Sequence, residues 1–175
     1  SRAALPAYDR KKSRNPIADP DSQLRMYDAT KADARGRWWF RVGTVNVGSM
    51  MKRSGEVSDM LSRRKVDVCG LQEVRFKNEG VKFLQGGQKM RYKMFWKGGK
   101  EGQNGVGIVV KEEWVGSVVR VMRTSERLMA IELALEGELV TFVSVYAPQV
   151  GRPQEEKDEF YDELYRFIGK LKGKY

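Results

Sequence analysis

The sequence has no histidine at all and a single cysteine, Cys69, among its 175 residues. Without histidine there is no Ser-His-Asp or Cys-His nucleophile system, no imidazole ligand for zinc and no imidazole acid or base. One cysteine excludes an internal disulfide and a Cys-x-x-Cys motif, and it fits a reducing, intracellular compartment, nuclear or cytoplasmic. Long apolar runs are missing as well. None approaches the ~20 residues of a membrane span, and residues 1–14 carry no apolar segment of the signal-peptide kind, so no membrane association is expected. The chain opens with Ser in place of Met, which points to a fragment or a processed product.

What the sequence does have is positive charge, with a formal net charge of +10. It is unevenly placed. Residues 1–41 hold 10 basic and 5 acidic side chains, residues 42–151 hold 17 and 12, and residues 152–175 hold 6 of each. The first 37 residues contain Pro6, Pro16 and Pro20, the basic cluster Arg10-Lys11-Lys12-Ser13-Arg14 and few large aliphatics. Such a stretch reads as a flexible basic arm (residues 1–37), either with a partner or simply solvated. Residues 38–175 then form the folded part.

Order is expected from Trp38, because Trp38–Val47 is aromatic and β-branched, as strands are. Val57, Met60 and Leu61 are spaced as one face of a helix over Ser54–Lys65, with Ser54 a candidate N-cap. Val66–Val74 is nearly continuous and apolar, the mark of a strand buried on both faces. A helix between two such strands predicts a parallel pair. Gly80–Lys89 is ambiguous. Tyr92–Trp96, Val106–Lys111, Ser117–Arg123, Leu128–Leu135 and Glu138–Tyr146 read as strands, with Asn104-Gly105 and Glu136-Gly137 as turns. Gln154–Leu171 reads as a helix whose inner face carries Phe160, Leu164, Phe167, Ile168 and Leu171.

Three polar residues end apolar strands. Asn46 and Glu73 end the first two strands; if these are parallel neighbours, both side chains emerge at one rim of the sheet, where α/β ligand sites form. Glu73 is either a hard-cation ligand or a capped, solvated charge. Asn46 alone reads as a turn former, and Tyr146 as rim packing. Cys69, inside an apolar strand, reads as a small core residue and not a nucleophile. Arg75 and Lys77 stand beside Glu73 as candidate phosphate contacts. Neither a phosphate-binding Gly-x-x-x-x-Gly-Lys loop nor a dinucleotide fingerprint is present.

Four ordered blocks, Gly43-Thr44-Val45-Asn46-Val47, Val66-Asp67-Val68-Cys69-Gly70-Leu71-Gln72-Glu73, Asn104-Gly105-Val106-Gly107-Ile108 and Val143-Ser144-Val145-Tyr146-Ala147-Pro148-Gln149, resemble the endonuclease/exonuclease/phosphatase superfamily. Within it they resemble the apurinic-type endonuclease domain of non-LTR (LINE, RTE-like) retrotransposons and the craniofacial development protein 2-like relatives. The resemblance covers about Phe40 to Leu171. It implies an α/β (α+β sandwich) fold of two packed β-sheets flanked by helices. It also implies a divalent cation, Mg²⁺ or Mn²⁺, phosphodiester hydrolysis and DNA as the partner. By the same resemblance Asn46, Glu73 and Tyr146 are the catalytic positions, Glu73 and Asn46 hold the metal, and Arg75, Lys77 and Asn104 meet nucleic acid.

The chain also departs from that pattern. Relatives continue with Gly-Asp-x-Asn and Ser-Asp-His segments, and neither is present. The expectation is an N-terminal portion of the domain that lacks the C-terminal Asp, Asn and His and is inactive by itself. Strands deprived of their covering layer would expose several hundred Å² of apolar surface, which forfeits on the order of 10 kcal/mol at roughly 25 cal/mol per Å². Marginal stability or association with another surface is therefore expected. The alternative function is a non-catalytic nucleic-acid or protein-binding module. An inositol-phosphate or lipid phosphatase is a third reading, which the basic arm disfavours.

Overall fold

A computed structural model of the chain describes residues 23–29, 39–87 and 90–172. The strands are β1 (Arg25–Ala29), β2 (Phe40–Asn46), β3 (Val68–Gln72), β4 (Glu79–Leu84), β5 (Tyr92–Lys97), β6 (Val106–Lys111), β7 (Val118–Ser125), β8 (Leu128–Leu135) and β9 (Glu138–Val145). The helices are α1 (Ser54–Arg63), α2 (Glu112–Val115) and α3 (Gln154–Lys172). Six strands make one sheet in the order β1-β2-β3-β6-β5-β4, and three make a second, β7-β8-β9. Among the described residues no helix is long and apolar enough to cross a membrane.

The layers follow from the sequence pattern. β2 and β3 are parallel, with Asn46 opposite Gln72, and α1 is the crossover between them. Val57, Met60 and Leu61 of α1 pack on one face of the large sheet, against Val45, Cys69, Leu71, Met94 and Val109. The other face, with Phe40, Val68, Phe95, Val106, Ile108 and Val110, meets Met129, Ile131, Leu133 and Leu135 of β8. β6 is thus buried on both faces, which is why its run is apolar without alternation. On the far side of the small sheet, Phe167 packs with Leu128 and Ala130, flanked by Leu164 and Leu171. The architecture is the expected α/β sandwich of two sheets with helices outside.

Several local expectations need correction. The stretch read as a flexible arm contains a strand, β1, paired antiparallel to β2. Arg-Met-Tyr-Asp-Ala is too sparsely apolar to read as a strand; its order comes from backbone pairing with β2 and from Leu24 and Met26 packing against the core. The remainder of that arm, with its basic cluster, lies outside the described residues. The ambiguous Gly80–Lys89 segment begins inside β4. Ser54 is the first residue of α1, not its cap: Arg53 holds the cap position and donates from its guanidinium to the Val47 carbonyl at 2.7 Å. Ile168 faces solvent while Phe160 and Phe167 are buried. The small sheet covers most of the large sheet's inner face, leaving Val81 and Phe83 exposed at its β4 margin; Leu139 and Val143 are exposed on the outer face of the small sheet.

Candidate active site

Parallel pairing delivers Asn46 and Glu73 to one rim, since Glu73 follows Gln72, the register partner of Asn46. Tyr146 arrives from the other sheet. It follows the end of β9, and its backbone N–H donates to the Arg127 carbonyl at 2.8 Å, which fixes the residue over the rim. The three side chains converge on one carboxylate. Asn46 Nδ2 donates to Glu73 Oε1 at 2.8 Å and the Tyr146 hydroxyl donates to the same oxygen at 2.9 Å. Arg75 donates to Oε2 at 3.0 Å. The Asn46 carbonyl is itself fixed by the Gly48 N–H at 2.9 Å, which sets the direction of its amide.

These contacts decide the charge of the site. Burial raises the Glu73 carboxyl, but the hydrogen bonds from Asn46, Tyr146 and Arg75, with the Arg75 charge, outweigh it and hold the group below its ordinary value. Glu73 is an anion at neutral pH. Tyr146 moves the other way: burial, the hydrogen bond to Glu73 and the Glu73 charge raise its phenol. Tyr146 is therefore a neutral donor there and not a base.

The backbone is unusual at the same place. Glu73 and Arg75 adopt φ of 55° and 54°, the left-handed region that L-residues seldom occupy. Such residues cost about 1–3 kcal/mol each and persist where surrounding contacts impose them. Here the imposing contacts are Val74 N–H to the Gly105 carbonyl (3.2 Å) and Arg75 N–H to the Asn104 carbonyl (2.9 Å). Gly105, at φ 91°, has no room for a side chain: a Cβ would lie 2.7 Å from Val74 Cγ2. The Asn104-Gly105 turn thus props up the backbone that aims Glu73.

Glu73, Arg75, Gln103, Asn104, Tyr146 and Gln149 line a cleft of about 320 Å³. Asn46 stands behind Glu73, outside this lining. The Asn104 side chain lines the cleft but donates to Glu126 Oε1 at 2.7 Å. Lys77 does not line the cleft; its side chain is exposed and lies near Gly102. Cys69 is fully buried, and burial pushes its thiol up, as suits a core residue. Sequence reading missed Arg127, whose guanidinium lies 5.1 Å over the Tyr146 ring and donates to the Tyr146 carbonyl (3.2 Å) and to Glu156 (2.7 Å). No spacing rule could find it, because only the antiparallel pairing of β8 with β9 brings the β7–β8 turn to Tyr146. A larger groove, about 760 Å³, lies between that turn and α3. Two of its acids are spent on internal contacts, Glu156 with Arg127 and Glu163 with Ser125, and it holds none of the expected site residues.

The match that decides the family spans most of the chain: a family model for the endonuclease/exonuclease/phosphatase family matches residues 43–174. The chain belongs to this family. Comparison with curated proteins gives no match. The general chemistry of the endonuclease/exonuclease/phosphatase family is phosphodiester hydrolysis, and its enzymes generally use divalent metals.

The residues present can be tested against such a cation. Among the described residues no three acidic, His or Cys side chains are placed to hold one metal ion together. Glu73 is the one carboxylate lining the cleft, and it is ionised. Its Oε2 accepts only from half-exposed Arg75, a cation already lodged against the carboxylate. One carboxylate with the rest of the shell from water and substrate phosphate suits a Mg²⁺-like ion and not a closed zinc or calcium cage. Glu73 would hold the ion, which when bound polarises a phosphoryl oxygen. Asn46 orients the carboxylate through its amide, and its side-chain carbonyl, which accepts from the Gly48 N–H, keeps a second lone pair that could face the ion. Arg75 presents donors to the anion and to any phosphate entering the cleft, while the single hydroxyl proton of Tyr146 goes to Glu73.

Proposed function

We propose that the chain carries the cation- and phosphate-anchoring part of a Mg²⁺-dependent DNA endonuclease site of the retrotransposon type. The observation that carries this reading is the ionised Glu73 carboxylate, held by three side-chain donors on strained backbone at the mouth of a polar cleft. Phosphoryl transfer needs little beyond positioning and charge stabilisation, and this arrangement supplies both. The net charge of +10 favours a polyanionic substrate over a small phosphate ester. The narrower retrotransposon assignment rests on the four ordered sequence blocks.

Among the described residues the cleft offers no base for the attacking water. The chain has no histidine, Tyr146 is held as a neutral donor, and Glu73 is committed to anchoring. The proposal is therefore that the chain binds a DNA phosphodiester with Mg²⁺ and does not cut it unaided. The test is fluorescence anisotropy with a short DNA duplex, with and without Mg²⁺, beside a supercoiled-plasmid nicking assay. Mg²⁺ should tighten binding about tenfold in wild type and not in Glu73→Gln, without nicks. Equal affinity with and without Mg²⁺ overturns the anchoring role and leaves a non-catalytic binding module. Nicks that Glu73→Gln abolishes overturn the claim that a base is missing.

A further inference from the structure

The inner face of the large sheet extends past the edge of the small one. The rows left at that margin are Glu79–Lys97, Val81–Phe95 and Phe83–Lys93, given by the β4–β5 register. Val81 and Phe83 are 47% and 38% exposed, although the same face carries the inter-sheet core a strand or two away. Two cations, Lys93 and Lys97, stand on these rows, and Arg91 and Arg123 reach them from outside. Lys93 Nζ lies 5.4 Å from the Phe83 ring and 5.9 Å from the Phe95 ring, with no carboxylate partner among the described residues. Arg91 lies 4.6 Å over Phe83 and pairs with Glu112 at 2.9 Å. Lys97 pairs with Glu79 at 3.2 Å. Arg123 reaches across from β7 to the carbonyls of Trp96 and Gly80, both at 3.1 Å, so its donors are spent on backbone and not on an acid.

We propose that this margin is a track for a single-stranded nucleic-acid segment leaving the cleft. The inference rests on the DNA reading above and extends it. The track begins at the cleft, because Lys97 leads directly into the 98–105 loop that supplies Gln103 and Asn104 to the cleft wall. It continues for the length of β4, about 20 Å at ~3.4 Å per residue. Cations spaced along it match a phosphate backbone. An exposed ring beside them has no use for a duplex, whose bases are stacked away, whereas unpaired bases offer a π-face to Phe83 and an apolar edge to Val81. The ring-bound Lys93, without a carboxylate to compete, exchanges to a phosphate with the least loss.

The test compares a blunt duplex with the same duplex carrying a single-stranded thymidine tail, by anisotropy at low salt. The tail should tighten binding about tenfold. Lys93→Glu and Phe83→Leu should each remove most of that gain while blunt-duplex affinity holds to within about twofold; Phe83 is on the edge strand and Lys93 half-buried on its neighbour β5, so circular dichroism is used to report the fold. A wild type that gains nothing from the tail overturns the track. So does a gain that survives Lys93→Glu, in which case the lysine only covers the exposed Phe83 ring. The two readings fail separately. Blunt duplex bound in a Glu73-dependent manner without a tail effect keeps the cleft and sinks the track; a tail effect with no Glu73-dependent binding of blunt duplex does the reverse.

Discussion

Two carboxylates bracket the same strand. Asp67 precedes β3 and Glu73 follows it, and their side chains are equally covered, at 16% and 15% exposure. Their partners differ in kind. Asp67 accepts the backbone N–H of Arg41 at 2.8 Å and the indole N–H of Trp114 at 3.3 Å, with Lys111 at 3.8 Å. Its own N–H and carbonyl pair with Arg41 and Lys111, so it ties β2, β6 and α2 into one seam. Glu73 accepts only from side chains, sits on left-handed backbone and opens onto a cleft. Equal burial and equal charge therefore do not distinguish structure from function here. The separating features are whether a backbone N–H is among the donors, and whether the backbone is strained toward open space.

The largest effect that would break this contrast is on stability. Asp67→Ala leaves the Arg41 N–H and the Trp114 indole without their acceptor, which should cost about 2–3 kcal/mol in urea unfolding. Mg²⁺-dependent DNA binding should be unchanged once the protein is folded. A loss under about 0.5 kcal/mol, or a loss of the Mg²⁺ effect, would erase the division between the two ends of β3.

Glu73→Gln should cost less, about 1 kcal/mol, because half-exposed Arg75 returns to water and the Asn46 amide keeps an acceptor. Its signature is pH dependence. The folded state holds the Glu73 carboxyl below its ordinary value, so the unfolded chain binds this proton more tightly. The stabilisation is complete above the ordinary carboxylate range, near 4.5, and is lost as pH falls through the lower, folded value. The stability gap between wild type and Glu73→Gln should therefore be constant above that range and close on acidification. A gap that is flat through that range would show that Glu73 is not held as an anion by its neighbours.

How much of this was legible follows from where each contact comes from. The β2–α1–β3 unit could be read because long apolar runs and a helical stripe leave few alternatives, and parallel pairing then put Asn46 and Glu73 on one rim. The placement of Tyr146 was legible only through resemblance, since its bond to Glu73 crosses between sheets and no local period encodes that. β1 escaped because it is too sparsely apolar to read as a strand and is ordered by its pairing with β2. Lys77 was expected beside Arg75 by proximity in sequence, yet only Arg75 lines the cleft, and the left-handed backbone at Glu73 and Arg75 is a local feature that residue spacing does not encode. Arg127 and Glu126 escaped for the same physical reason as Tyr146: a hairpin turn is carried to the site by the pairing of a later strand.

The smallest expected effect bears on why Tyr146 is there. If its hydroxyl only donates to Glu73, Tyr146→Phe should remove one hydrogen bond, about 1 kcal/mol, and let the Glu73 carboxyl move up toward its ordinary value. The ring, with Arg127 over it, would stay in place, so the cleft should keep its shape. A carboxylate titration by NMR would read this directly. An unchanged Glu73 titration would assign its depression to Asn46 and Arg75 alone, and would make Tyr146 a wall of the cleft like the groups around Asp67. A rise in Glu73 with DNA affinity in Mg²⁺ preserved would make the tyrosine a tuner of the anion. A rise accompanied by weaker binding would show the hydroxyl serving the phosphate as well, because removing a donor from a carboxylate that only bound the cation would leave that carboxylate no poorer a ligand at neutral pH.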